Sequence, residues 1–132
     1  MTGRSSARAV LTLLVIAPLI GACGGEAARP EPPADVAYAD DASGGDDAGI
    51  GGRLTLIDGC LRLQVDGGAV VPIFPDRGIV WDGDVLKVGG QEFPLDVDLT
   101  LHGGGYEGAA PEAATIPAAC RDAEAFWIVN LD

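Results

Sequence analysis

Hydrophobic and polar positions alternate with period two through the second half of the chain, most cleanly over 93–102. Phe93, Leu95, Val97, Leu99 and Leu101 fall on one face, and Pro94, Asp96, Asp98, Thr100 and His102 on the other. Successive side chains of a strand point to opposite sides, so this run predicts one half-buried strand of an antiparallel sheet. Gly103-Gly104-Gly105 ends it. Cys60–Val65 repeats the pattern, with Leu61, Leu63 and Val65 opposed to Arg62 and Gln64. Further short apolar runs lie at 53–58, 69–74, 79–81, 84–88 and 126–131. Gly59, Asp66-Gly67-Gly68, Asp82-Gly83 and Gly89-Gly90 punctuate them, and such residues suit tight hairpin loops. Pro72 and Pro75 confine the 69–74 strand to an edge or a bend, because Pro donates no ladder hydrogen bond. Tyr106 to Ala119 reads as a loop, and Arg121–Ala125 as one helical turn. Short strands with frequent turns predict an all-β domain. We expect a small closed β-barrel or barrel-like sandwich of about six strands, since closure removes edges that invite aggregation.

The stretch before this domain differs. Residues 24–52 hold Pro30, Pro32 and Pro33 and the run Asp40-Asp41-Ala42-Ser43-Gly44-Gly45-Asp46-Asp47, with only Val36 and Tyr38 able to pack. Low apolar content with high charge predicts a disordered tether. Its Asp-Gly pairs lack the ligand spacing and terminal Glu of a calcium loop, so no metal is expected there. Earlier still, Arg4 and Arg8 precede the apolar run Ala9–Ile20 and the small residues Gly21 and Ala22. A positive start, a short apolar core and small residues at its end predict a signal peptide. The apolar run is too short for a spanning helix, which needs ~20 residues. The expected organisation is a signal over 1–22, a tether over 23–52 and a β domain over 53–132.

Ile20-Gly21-Ala22-Cys23 resembles the lipobox of bacterial lipoproteins: an aliphatic residue, two small residues and a Cys. The resemblance implies a diacylglyceryl thioether on Cys23, cleavage before it, and often an N-acyl group such as palmitate. One acyl chain binds a membrane marginally, whereas two or three anchor it stably. The implied location is the cell membrane or outer membrane, lipid-anchored and facing outside the cytoplasm. More loosely, the domain resembles small exported bacterial proteins in Gly59-Cys60-Leu61, Pro72-Ile73-Phe74-Pro75 and a Cys followed by Trp127-Ile128-Val129. That likeness brings no activity with it.

Charge narrows the partners. The 132-residue chain has a formal charge of −12, with 20 acidic and 8 basic side chains. Loss of the signal removes Arg4 and Arg8 and no acid, leaving 20 acidic against 8 − 2 = 6 basic residues, a charge of −14. Phosphate backbones and anionic headgroups repel such a chain, so no nucleic acid is expected. The expected partners are the membrane, reached through the lipid, and an envelope protein or ligand. If Cys23 carries lipid, Cys60 and Cys120 remain. In an oxidising compartment two cysteines read as one disulfide, the other reading being two buried thiols. The bridge would clip an early strand to the loop before the last one.

Candidate chemistry is sparse. Ser5, Ser6 and Ser43 all precede the β domain, so a Ser or Cys nucleophile with its base lacks its first member there. His102 is the only His and shares a predicted strand face with Asp96 and Asp98, a spread too wide to converge on a metal. No catalytic residues, metal or cofactor beyond the lipid are expected, and a binding or structural module is favoured over an enzyme. A small hydrolase using paired carboxylates and a secreted, unanchored binding or inhibitor protein are the alternatives. Trp127 is expected in the core; Trp81, beside a turn, and Tyr106 are the candidate ligand contacts.

Overall fold

The computed structural model describes residues 30–40 and 47–131, together with Gly3. Cys23 and, Gly3 apart, the expected signal lie outside the described residues. Ten strands run through the described chain: β1 (Ala37–Ala39), β2 (Ala48–Ile57), β3 (Cys60–Val65), β4 (Gly68–Pro75), β5 (Val80–Asp82), β6 (Val85–Val88), β7 (Gln91–Pro94), β8 (Asp98–Glu107), β9 (Ala114–Thr115) and β10 (Ala125–Val129). A 3-10 turn covers Ala118–Cys120. The all-β expectation holds, and the barrel is closed. Its wall follows the order β10-β8-β2-β3-β4 and returns to β10 through a parallel β4–β10 pair. β5, β6 and β7 form a separate antiparallel sheet. That sheet and the short β1 and β9 raise the strand number above six.

Alternation fills the interior. Leu54, Leu61, Leu63, Phe74, Leu101, Trp127 and Val129 point from the barrel strands into one buried cluster. Leu86, Val88 and Phe93 join it from the second sheet and Ile79 from just before β5, so the two sheets share a core. The rings of Phe74 and Phe93 meet at 5.2 Å with planes tilted by 58°, an arrangement ring quadrupoles favour over a sandwich. A second cluster lies on the outer side of β4 and β10, where Val71, Ile73, Phe126, Ala37, Cys60 and Cys120 are covered by Ala110, Ala114, Ile116 and Ala123. This wall is buried on both faces. Hence the runs 70–75 and 126–129 are continuously apolar rather than alternating.

Six expectations are corrected. The strand expected over 93–101 is two strands in different sheets. The chain turns at Asp96, whose φ is +59°, and the Asp96 N–H donates to the Leu54 carbonyl at 3.0 Å. Phe93 and Leu101 both reach the shared core while Val97 between them is 43 % exposed, so the period passes unbroken through a turn. Gly103-Gly104-Gly105 does not end β8; it pairs with Val129, Ile128 and Trp127 of β10. A Cβ at Gly103 would collide with the Ile128 carbonyl oxygen, so glycine here lets β10 approach.

Pro72 is not at an edge. β4 pairs with β3 over 68–70, with β10 over 71–73 and with β1 over 73–75. β10 and β1 both pair Ile73, so they occupy opposite edges, and β1 shares its edge with β3. Pro72 sits where β3 has left that edge and β1 has not yet joined, so its missing N–H breaks no ladder bond there.

The stretch expected as tether is partly domain. Val36 and Ala37 are buried, β1 pairs in parallel with β4, and β2 begins at Ala48. Composition over 24–52 masks these few apolar residues, whose burial comes from a strand more than thirty positions away. Asp41 to Asp46 lie outside the described residues. The expected loop 106–119 likewise contains the end of β8, β9 and the 3-10 turn, and the helical turn falls at 118–120 rather than 121–125.

Candidate functional site

Cys60 and Cys120 form a disulfide with Cα atoms 5.3 Å apart, joining the start of β3 to the 3-10 turn before β10. Both residues are fully buried in the outer cluster. Beside them the Arg62 guanidinium donates to the Ala119 carbonyl at 3.2 Å and to Asp122 Oδ1 at 3.0 Å. The bridge and this clamp, with the β1–β9 pairing, hold the 108–123 segment against the barrel wall.

The two aromatic candidates are not brought together. The Trp81 indole N–H donates to Asp35 Oδ1 at 3.0 Å, and its ring packs on the inner core. Trp81 therefore ties the incoming chain to the second sheet. Tyr106, 43 % exposed, sits on β8 opposite Phe126. Trp127 is in the core as expected, 8 % exposed, and its indole N–H has no acceptor among the described residues. His102 does not converge with Asp96 and Asp98. Its Nδ1 lies 4.0 Å from Asp47 Oδ1, while Asp98 accepts from Arg53 Nε at 2.8 Å. Among the described residues no group of His, Cys, Asp or Glu is placed to hold a metal.

Three concavities stand out among the described residues. One, about 550 Å³, is an open groove over β2. Gly51 and Gly52 form its floor, and Arg53, Gln64, Asp98 and Thr100 stand along it. Its strongest electrostatic feature is the Arg53–Asp98 pair. The hydrogen bond from Arg53, and then its charge, hold the Asp98 carboxyl below its ordinary value; the same bond raises Arg53. With guanidinium, carboxylate, amide and hydroxyl side by side, the groove offers donors and acceptors to a polar ligand. The second, about 80 Å³, is an apolar cleft between Ile73, Phe74 and Ile128 on the wall and Pro111 and Ala114 on the covering segment. The third, about 510 Å³, is a depression beside the disulfide, lined by Ile57, Asp58, Arg62, Ala119 and Asp122.

Elsewhere Lys87 bonds Asp82 across β5 and β6 at 2.9 Å, which raises its pKa, with Glu92 at 3.8 Å. The groove escaped sequence reading because its floor, Gly51-Gly52, lies in a stretch of linker-like composition. Its signal was there: Ile50 alternates with Gly49 and Gly51, a strand pattern with one face bare. Comparison with protein-family models, with curated proteins and with solved structures finds no match to this chain.

Proposed function

We infer that the protein is a lipid-anchored component of the cell envelope whose β-barrel serves as a binding module outside the cytoplasm. The disulfide carries this reading. It pairs the two cysteines of the domain with each other and leaves Cys23, at the end of a signal-like segment, as the odd cysteine. A buried structural disulfide belongs to an oxidising compartment, and a Cys after Ile20-Gly21-Ala22 is the residue a lipoprotein pathway would modify. The polar groove on β2 supports the binding role.

The test is expression of wild type beside Cys23→Ala, phase partition in detergent, and intact mass of the N-terminal peptide. The wild type enters the detergent phase with a diacylglyceryl mass on Cys23, and the variant stays aqueous. A cleaved wild-type protein that stays aqueous without that mass refutes the anchor.

A further inference from the structure

The lipid leash is short, and it joins the fold beside an exposed apolar tip. Asp35 carries the first tertiary hydrogen bonds of the described chain: its carbonyl accepts from Leu61 N–H at 2.9 Å and its carboxylate from Trp81. Asp35 stands twelve residues after Cys23. Covalent geometry limits that span to about 40 Å, whereas a tether reaching Arg53 would have allowed about 100 Å.

Leu61 faces Leu56 across the β2–β3 ladder, and Cys60 faces Ile57. The leash therefore enters next to the end of this hairpin. Leu56 is 42 % exposed and Ile57 37 %, and they are adjacent in sequence, so the tip is apolar on both faces. β2 pairs with β8 only as far as Arg53, so the hairpin continues past that ladder. The depression beside Ile57 carries one guanidinium, Arg62, and two carboxylates, Asp58 and Asp122. Arg62 is already paired with Asp122, which leaves the Asp58 carboxylate in excess, so a zwitterionic surface suits this site better than an anionic one.

We propose that the β2–β3 tip, Leu56-Ile57, docks on the zwitterionic lipid surface that holds Cys23, fixing the orientation of the barrel on the membrane. This rests on the anchor reading above. The tip is too small to bind a membrane from solution, but the leash keeps it at high local concentration, where a weak contact suffices.

The experiment uses the full lipidated chain on phosphatidylcholine vesicles carrying a headgroup nitroxide. Ile57→Cys is labelled with a fluorophore, the other cysteines being lipidated or bridged. His102→Cys is the control; it lies opposite Gly49, roughly 25 Å back along β2 from Ile57. Fluorescence at 57 is quenched strongly and at 102 weakly. Leu56→Ser, added to the labelled Ile57→Cys chain, lowers the docking equilibrium several-fold, roughly threefold or more, without unfolding the exposed tip. Phosphatidylglycerol vesicles reduce quenching at 57, because the chain is strongly acidic. Equal quenching at both positions, no effect of the Ser substitution, or stronger quenching on phosphatidylglycerol overturns the proposal. Intact mass on Cys23 separates the two failures: without lipid on Cys23 the anchor reading falls and docking falls with it.

Discussion

Reduction of the Cys60–Cys120 disulfide tests the account of the outer cluster most directly. The bridge closes a sequence separation of 60 residues. Chain-entropy arguments assign a loop of that length about 4 kcal/mol of stabilisation through the unfolded state. A domain of this size has roughly 5–15 kcal/mol in total, so the bridge is a large share. With a urea slope of about 1–3 kcal/mol per molar, the midpoint should fall by about 1.3–4 M on reduction. Trp127 in the core reports the melt. Reduction keeps both sulfurs in place, so it separates the lost cross-link from lost volume; Cys60→Ala with Cys120→Ala adds the volume term. Hydrogen exchange should then show the 108–123 cover opening before the barrel, because only Arg62, the two-residue β1–β9 pairing and a thin apolar contact would hold it. A midpoint shift under about 0.5 M at unchanged slope would refute the entropic account and assign the cover's stability to its apolar contacts.

Gly103→Ala should cost more than about 2 kcal/mol in urea melts, because β10 must move away, whereas Gly68→Ala in open space should stay within about 0.5 kcal/mol. Asp35→Ala should lose about 1.5–3 kcal/mol by releasing Trp81, and a double-mutant cycle with Trp81→Phe should show the coupling. Asp98→Asn should change little at neutral pH, since its pair with Arg53 is exposed. A carboxyl depressed in the fold stabilises above its unfolded pKa and loses that contribution as pH falls through its folded value. The variant should therefore lack one increment of the wild type's acid sensitivity, read from melts at descending pH.

Strands with one face in the core were legible because their side chains record it: Leu61, Leu63 and Val65 against Arg62 and Gln64. Hairpin loops were legible where two flexible residues stand together, as at Gly89-Gly90; the loop after β5 fell one place late, at Gly83-Asp84, because Asp82 pairs with Val85. What stayed hidden depends on distant partners. Nothing local distinguishes Val36-Ala37 from linker, since their burial is supplied by β4. Pro72 reads as an edge residue until two strands are seen to share one side of β4 at different heights. The polar groove was hidden for the opposite reason: it is made by side chains that glycine leaves out. The Cys60–Cys120 pairing was legible because only two cysteines remained after Cys23.

The placement of β4 sets the order in which the chain can fold. β2, β3 and β4 are joined by two hairpins and can assemble locally within microseconds. Closure waits for β10, which must pair in parallel with Val71–Ile73 from more than fifty residues downstream. Until Ala125–Val129 has emerged, β4 and β8 each present an open edge, and the apolar wall that Phe126 and Ile128 complete is bare. A chain made from its N-terminus therefore has β2, β3 and β4 in place while its last strand is still to arrive, and loss of that final strand leaves an unclosed sheet prone to pair with other chains.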